Sequence, residues 1–160
     1  MKRILSLFLI LCLLFSLSAC NFQGVAIPDS PGTTVHTQPT ETEPLLDEDG
    51  VYDSKEDVAL YLSLYGKLPG NYMTKSEARS KGWKSGALSN VIPGKCIGGD
   101  TFQNREGLLP KKDGRLYYEC DIGTINGGSR GAQRIVFSND GLVYYTADHY
   151  GSFELLYGEP

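Results

Sequence analysis

The pattern of this sequence changes at residue 95, and that change constrains the fold more than any other feature. Before it, residues 53–69 and 74–82 have the signals of capped helices, a short polar residue followed three positions later by an acid. After it come five short segments rich in β-branched and aromatic residues, separated by Gly, Asn and Asp turns. Helices followed by antiparallel strands predict an α+β fold, with the N-terminal helices packed on one face of a C-terminal antiparallel sheet.

The bounds of these elements follow from the same signals. The first helix is predicted to begin at an N-cap Asp53 and to end at Gly66, and the second to begin at Thr74 and to end at Gly82. One further turn is predicted over residues 87–91. The predicted strands are, in chain order, residues 96–102, 115–122, 132–138, 142–148 and 152–157.

The N-terminus has the features of an export signal over residues 1–19. Two basic residues precede an almost wholly apolar stretch, residues 4–17, which is too short for a permanent membrane span. Small residues then lead into Cys20, and their likeness to the lipobox of bacterial lipoproteins implies cleavage before Cys20 and lipid attachment to its thiol. An ordinary secretory signal is the alternative. The protein is therefore expected either on the cell surface, contacting the membrane only through the lipid, or secreted.

Residues 20–50 are predicted to form a disordered acidic tether that leads to a single folded domain, residues 51–160. The tether contains four prolines and six acids but no lysine or arginine, and such a composition cannot bury enough apolar surface to fold. The domain carries 13 basic and 13 acidic residues, so the net charge of −4 arises outside it. Its length is sufficient for one modest core.

Two cysteines remain for the domain, because Cys12 lies in the signal and Cys20 at the lipid site. Cys96 and Cys120 are a disulfide candidate, since an even pair in an exported domain is commonly bridged. Closing that loop of about 24 residues would contribute about 3 kcal/mol. Two buried free thiols are the alternative. Two cysteines and one histidine are too few for a zinc site, and neither a metal nor a cofactor is expected.

The predicted strand over residues 115–122 carries an acid in its middle. Because side chains alternate along a strand, Glu119 and Asp121 share one face, while the apolar residues between them face the helices. Glu119 is thus expected on the open face. A cross-strand ion pair with Arg134 or Lys95 would explain it without any catalytic role.

His149 is the second candidate, because the domain contains no other histidine. Considered alone, it is more simply a surface or core histidine. A carboxylate and an imidazole on one rigid sheet are, however, the pair that general acid–base catalysis needs. Three cations, Lys75, Arg130 and Arg134, could converge on an anion between them. That set suits phosphoryl transfer in which fixed positive charge takes the place of a metal.

Several long blocks of the chain resemble the microbial guanyl-specific ribonucleases, the barnase-like family. These blocks are "VALYLSLYGKLPGNYMTKSEARSKGW", "PGKCIGGDTFQNREGLLP", "GRLYYECDI", "SRGAQRIVFSNDGLVYYTADHY" and "SF". They lie between residues 51 and 157. The resemblance implies the same α+β fold and cleavage of single-stranded RNA 3′ of guanosine, giving a 2′,3′-cyclic phosphate that is then slowly hydrolysed.

Carried over by position, the resemblance implies a role for each candidate. Glu119 would be the general base and His149 the general acid. Lys75, at the start of its helix, and the arginines Arg130 and Arg134 would bind the scissile phosphate. DNA lacks the 2′-hydroxyl nucleophile and should be bound without being cut.

The resemblance also implies how the base is chosen. A loop presents backbone amides to guanine, and the carboxylate of Glu106 accepts the two N–H groups of its Watson–Crick edge; adenine would leave that carboxylate unpaired. Phe102 and Tyr150 would flank the base by stacking. An ordinary turn with Glu106 paired to Arg105 is the alternative. The residues implied in base recognition are Phe102, Gln103, Asn104, Arg105, Glu106 and Tyr150.

The same resemblance implies a monomer whose partner is the RNA substrate, with a barstar-like protein inhibitor as a further candidate partner. Because the domain is neutral, binding to nucleic acid is expected to be concentrated in the cleft. A surface lipoprotein that keeps the fold but binds a nucleotide or a partner without turnover is the alternative function. The presence of the acid, the base and all three cations favours the enzyme.

Overall fold

The computed structural model describes residues 45–160, so the predicted signal, Cys20 and most of the predicted tether lie outside the described residues. No helix in the described part is both long and apolar enough to cross a membrane. The elements are helix α1 (Lys55–Tyr65), strand β1 (Tyr72–Met73), helix α2 (Lys75–Ser80), a 3-10 turn (Leu88–Asn90), and strands β2 (Cys96–Phe102), β3 (Tyr117–Asp121), β4 (Arg134–Ser138), β5 (Val143–Thr146) and β6 (Glu154–Tyr157).

The six strands form one sheet in chain order, β1 to β6. β1 pairs in parallel with β2, and every later neighbour is antiparallel. Helix α1 packs on β4 and β5, and α2 contacts β2. The α+β prediction is confirmed, and each of the five predicted strands is present. β1 is additional, because a strand of two residues shows no alternation in the sequence.

Helix α1 begins one residue later than predicted, with Ser54 rather than Asp53 as its N-cap. The Ser54 hydroxyl accepts the backbone N–H of Asp57 at 3.0 Å. The Asp53 carboxylate instead accepts the N–H of Ile125 at 2.8 Å. Gly66 ends the helix in the left-handed region, with φ 64°. Asp53 therefore ties the start of α1 to the loop that follows β3.

Helix α2 has the predicted capping box. The Thr74 hydroxyl accepts the N–H of Glu77 at 3.3 Å, and the Glu77 carboxylate accepts the N–H of Thr74 at 2.8 Å. The next N–H, that of Lys75, donates to the carboxylate of Asp100 on β2 at 3.0 Å. The first turn of this short helix is thus fixed against the sheet, which places the Lys75 side chain beside β3.

The sheet buries a separate apolar cluster on each face. The cluster under α1 consists of Val58, Ala59, Leu62, Cys120, Ile122, Ile135 and Val143, as the alternation along β3 predicts. The cluster on the other face consists of Leu109, Tyr117, Val136, Leu142 and Tyr144, with Phe102, Tyr150 and Phe153 packed against it. The face predicted to be open is therefore largely covered, and the side chain of Glu119 is only 12% exposed.

Cys96 and Cys120 are buried free thiols, so the predicted disulfide is not formed. Cys96 lies opposite Tyr72 in the β1–β2 pair, whereas Cys120 lies opposite Gly98, two residues further along β2. A Cβ at Gly98 would lie 2.6 Å from the Cβ of Cys120, so this approach requires glycine. Burial raises the pKa of both thiols. The cysteines contribute through packing instead of a cross-link.

The folded part begins before the predicted boundary at residue 51. The hydroxyls of Tyr65, Tyr61 and Tyr52 donate to the backbone carbonyls of residues 46–48, at 2.6, 2.9 and 3.1 Å respectively. Residues 46–48, called the strap below, are thereby bound to helix α1. The end of the predicted tether therefore belongs to the domain.

Candidate active site

Glu119 lies in the middle of β3, and both of its carboxylate oxygens have partners. The Lys75 ammonium is 2.5 Å from Oε1, and the Tyr150 hydroxyl donates to Oε2. Within residues 45–160, neither Arg134 nor Lys95 forms the cross-strand ion pair that would have explained this acid. A carboxylate has about four lone-pair positions, so Glu119 keeps acceptor capacity for a substrate hydroxyl.

Tyr150 is a hydrogen-bond donor to Glu119 and remains one over a wide pH range. Burial, followed by the hydrogen bond and charge of Glu119, raises the pKa of the Tyr150 phenol well above its ordinary value. The Tyr150 hydroxyl therefore stays protonated and fixes one oxygen of the carboxylate.

Lys75 lies between two carboxylates. Its Nζ is 2.5 Å from Glu119 Oε1 and 4.0 Å from Asp100 Oδ2. The sequence predicted that the start of helix α2 would help to bind the phosphate. The backbone N–H of Lys75, however, already donates to the Asp100 carboxylate. The ammonium is thus the part of Lys75 that can meet an anion.

One buried carboxylate, Asp121, holds both arginines at the end of β3. Arg130 donates to it from Nε and Nη2 at 2.6 and 2.7 Å, and Arg134 Nε lies 3.1 Å from its Oδ1. Asp121 is 1% exposed and Arg134 2%. The Asp121 hydrogen bond raises the pKa of the Arg130 guanidinium. Both arginines are therefore held in place by one carboxylate.

The two arginines differ in the donors that they have left. Arg134 donates from Nη1 to the carbonyls of Arg130 and Gln133 and from Nη2 to that of Gly131, so it braces the loop before β4. Arg130 uses Nε and Nη2 for Asp121, and its guanidinium lies 5.9 Å from the ring centre of Trp83. Its Nη1 has no protein partner among the described residues. Arg130 is the better placed of the two to donate to a phosphate.

His149 lies in the turn after β5 and is exposed. His149 and Tyr150 are both left-handed, with φ 58° and 75°, a conformation that costs about 1–3 kcal/mol for a residue other than glycine. The Asp148 carboxylate closes this turn by accepting the hydroxyls of Ser152 and Thr146 at 2.7 and 2.8 Å. These bonds, chiefly those from Ser152, lower the pKa of Asp148 to about 2. Asp148 therefore fixes the backbone that presents His149.

The turn that carries His149 is joined to the other candidate residues on two sides. The N–H of His149 donates to the carbonyl of Ala132 at 3.3 Å, beside the loop that carries Arg130. The ring of His149 lies 4.7 Å from that of Tyr150, whose hydroxyl is bound to Glu119. These contacts link the predicted base Glu119, the predicted acid His149 and the predicted cations Lys75, Arg130 and Arg134 into one group, which is called the catalytic cluster below.

The predicted base loop, residues 102–106, is braced by one amide side chain. Asn104 has φ 45°, and its amide donates to the carbonyl of Leu109 at 2.8 Å and accepts the N–H of Leu109 at 3.1 Å. Both ends of this amide are used within the loop. Asn104 therefore shapes the backbone, and its side chain is not free to bind a base.

The other polar residues of the loop are available. Gln103, Arg105 and Glu106 are exposed. Neither Arg105 nor Glu106 takes part in an ion pair of the described residues, so the alternative in which they pair with each other is not what the structure has. The Glu106 carboxylate is thus free to accept hydrogen bonds.

Phe102 and Tyr150 do not stand on two sides of a gap. Their ring centres are 5.1 Å apart and tilted by 34°, which is direct aromatic contact, so no base fits between them. Phe153 extends the group at 6.0 Å from Phe102. The expectation that the two rings flank the base is therefore wrong. The rings lie against each other and form one shared aromatic surface.

Three acids that support the site were not predicted: Asp100, Asp121 and Asp148. Asp121 could have been found from strand alternation, because it shares the face of Glu119. In the sheet it lies opposite Arg134. Asp148 had a weaker signal, since an acid just before a turn commonly accepts its N–H groups. No sequence pattern points to Asp100, because Lys75, the residue that it contacts, is 25 positions away in the chain.

The α+β fold brings a carboxylate, a histidine and three cations together, a set of groups suited to phosphodiester chemistry. The family model described as ribonuclease matches residues 55–157. The chain therefore belongs to the ribonuclease family, and the resemblance to its microbial, guanyl-specific members is confirmed.

The chain is also similar to individual relatives and to a solved structure. The chain is 42% identical to the ribonuclease of Bacillus intermedius, over 96% of this chain and 98% of that protein. It is 50% identical to the ribonuclease of Heyndrickxia coagulans, over 64% of this chain and 95% of that protein. Guanyl-specific ribonuclease St of Saccharopolyspora erythraea is 46% identical, over 36% of this chain and 56% of that protein. A solved structure of ribonuclease Sa2 with guanosine-2′-cyclophosphate matches at 40% identity and a TM-score of 0.32, over 36% of this chain and 61% of that one.

Proposed function

We propose that this protein is an exported endoribonuclease that cleaves single-stranded RNA on the 3′ side of guanosine without a metal. The product would be a 2′,3′-cyclic phosphate, followed by its slow hydrolysis. The observation that supports this most strongly is Glu119, a largely buried carboxylate held by Lys75 and Tyr150 at the centre of the cluster, in a chain that belongs to the ribonuclease family.

In the proposed reaction, Glu119 accepts the proton of the ribose 2′-hydroxyl as that oxygen attacks the adjacent phosphorus. The bond from phosphorus to the 5′-oxygen of the next nucleotide breaks, and protonated His149 gives that oxygen its proton. Water later opens the cyclic phosphate with the two roles exchanged. General acid–base catalysis by a positioned pair contributes about 10²–10⁴-fold per group.

The cations would stabilise the charge that develops on the non-bridging phosphate oxygens. Arg130 offers Nη1, which has no protein partner among the described residues, and Lys75 offers its ammonium. Because Asp121 fixes Arg130 in advance, little reorganisation is needed when the charge appears. Arg134 would act mainly by its charge, since most of its donors are bound to carbonyls.

Guanine preference is proposed from the base loop. The exposed Glu106 can accept two N–H groups of guanine, whereas adenine offers no N1–H and leaves the carboxylate unpaired. The base would stack on the shared surface of Phe102 and Tyr150. Relatives named guanyl-specific ribonucleases support this preference.

The test is cleavage of the dinucleotides GpU and ApU by the purified protein, with and without a chelator. We expect GpU to be cut in preference to ApU, with no change on chelation. Cleavage that a chelator abolishes would remove the metal-free mechanism. Binding of GpU without any cleavage would favour a non-catalytic binding protein.

The role of His149 is tested with His149→Asn, because asparagine tolerates the left-handed conformation of this position. Cleavage of GpU should fall by about 10²-fold or more, while circular dichroism stays unchanged. Glu159→Gln, an exposed change near the C-terminus, is the matched control. Undiminished cleavage by the His149 variant would remove it as the general acid.

Export and lipid attachment at Cys20 are proposed from the sequence alone. A labelled fatty acid supplied to the producing cells should be incorporated into the wild-type protein and not into a Cys20→Ala variant. Equal label in the two proteins would contradict lipid attachment at Cys20. The monomeric state and the barstar-like inhibitor stay predictions.

A further inference from the structure

A groove of about 490 Å³ lies beside the base loop, on the connection between β2 and β3. Its walls are residues 101–105, residues 110–112 and the segment 115–117 that leads into β3. None of the residues that line it belongs to the catalytic cluster. The groove is therefore a separate recess that shares one wall, the base loop, with the candidate site.

The groove has a local excess of positive charge in a domain that is neutral overall. Four basic residues line it, and Asp140 pairs with two of them, Arg115 at 2.9 Å and Lys112 at 3.4 Å. Arg105 and Lys111 are exposed and take part in no ion pair of residues 45–160. Two cations therefore remain available to an anion in this groove.

Apolar surface lies next to these cations. Leu116 is 52% exposed at the groove wall, and Phe102 and Pro110 are half-buried there. Exposed apolar and aromatic groups interleaved with cations are the features by which proteins bind single-stranded nucleic acid, with the bases stacked and the phosphates paired. The groove therefore has the groups needed to bind the base and the phosphate of one nucleotide.

The position of the groove fixes which nucleotide it can take. Tyr117 in the groove wall precedes Glu119 by two residues on the same face of β3, a separation of about 7 Å. Phe102 joins the two sites, because it lines the groove and its ring contacts Tyr150. The 3′-phosphate of a bound guanosine is committed to the catalytic cluster, so the strand that leaves in the other direction is its 5′ side.

We propose that this groove binds the nucleotide on the 5′ side of the guanosine at which RNA is cut. Arg105 and Lys111 would pair with the phosphate, and the base would rest on Leu116 and Phe102 with little base preference, since stacking is sequence-tolerant. The proposal rests on the proposed function and adds a second subsite to it.

The experiment compares two substrates that share the same bond, GpU and UpGpU. We expect kcat/KM for UpGpU to exceed that for GpU in the wild-type protein. Lys111→Gln should lower kcat/KM for UpGpU by about 3- to 5-fold and leave GpU unchanged. It should also reduce the slope of log kcat/KM against log salt for UpGpU by about 0.7, the share of one phosphate contact on a single strand.

Lys67→Gln is the matched control, because it removes the same charge from an exposed lysine beside helix α1. This variant should leave kcat/KM unchanged for both GpU and UpGpU. Equal kcat/KM for GpU and UpGpU in the wild type would overturn the proposal, as would an equal loss on both substrates in the Lys111 variant. Lys111→Arg should restore the preference.

Failure of the proposed function is distinguishable, since it would show as absence of GpU cleavage. The groove is then tested by binding of UpGpU with a 2′-deoxyguanosine, which cannot be cut. Its 5′ uridine should shift the amide resonance of Leu116 relative to the shorter deoxy-GpU. An unchanged Leu116 resonance would overturn the proposal whatever the activity.

Discussion

The catalytic cluster and the base loop are built in opposite ways. In the cluster, Glu119 and Arg134 are buried on strands, and the Asp121 carboxylate that holds both arginines is 1% exposed. In the loop, Gln103, Arg105 and Glu106 are exposed, and one buried amide, Asn104, holds the backbone. We therefore expect cleavage to depend chiefly on side chains that the sheet fixes, and base choice to depend on a loop that a single residue shapes.

The sharpest test of the cluster is Glu119→Gln, for which we expect the largest effect. Glutamine keeps the shape and can still accept from Tyr150, but it cannot take the proton of the 2′-hydroxyl. The kcat/KM for GpU should fall by about 10²–10⁴-fold, measured at constant pH on protein with unchanged circular dichroism. Glu154→Gln, which changes an exposed acid on β6, is the control. Loss of less than tenfold would contradict a general base at this position.

The buried character of the cluster is tested by Asp121→Asn. This change leaves Arg130 and Arg134 without their shared carboxylate, and removing one partner of a buried ion pair costs about 3–5 kcal/mol. Urea unfolding measures the loss of free energy. Glu48→Gln is the control on an exposed pair, in which the side chains of Lys67 and Glu48 are 60% and 56% exposed, and it should cost far less. Equal costs for the two variants would break the contrast between buried and exposed charge.

The loop side of the comparison is tested by Asn104→Ala. Loss of its two hydrogen bonds to Leu109 should cost about 1–2 kcal/mol and lower the ratio of GpU to ApU cleavage. Asn104→Gly separates the causes, since glycine accepts φ 45° but lacks the amide. An unchanged preference in both variants would show that the loop does not choose the base.

The smallest effect concerns Asp148 and appears as a pH dependence. Its pKa is lowered from 3.8 to about 2 in the folded protein, so its stabilisation is present above about pH 4 and is lost as pH falls through about 2. The difference in unfolding temperature between the wild type and Asp148→Asn should therefore shrink between pH 4 and 2. Asp113→Asn, an exposed acid, should show no such change. A constant difference across this range would exclude the role given to Asp148.

Local signals predicted the elements but not their long-range anchors. The capping box of Thr74 and Glu77 is contained in four residues and was found from the sequence. That Ser54 and not Asp53 is the N-cap of α1 could not be predicted from the sequence. Both are good N-cap residues, and the Ile125 amide that binds Asp53 lies 72 residues away. The missing disulfide has a similar cause, since strand register decides which residues face each other.

The same distinction applies to the site. Glu119 could be singled out because strand alternation puts it on the open face, and His149 because it is the only histidine of the domain; their roles were implied by the resemblance to a known family. The hydrogen-bond partners of Glu119 could not be predicted in this way, because Tyr150 is 31 positions away in the chain and Lys75 is 44. The left-handed conformation of His149 was also beyond the sequence, since asparagine and glycine are the usual residues there.

The strap has a practical consequence for anyone who shortens this protein. A version cut at residue 51 keeps the whole family match, yet it leaves three tyrosine hydroxyls on or beside α1 without their acceptors. Because those acceptors are main-chain oxygens, these three bonds do not depend on the side chains at positions 46–48. We therefore expect a shortened version that begins at residue 45 to be more stable than one that begins at residue 51.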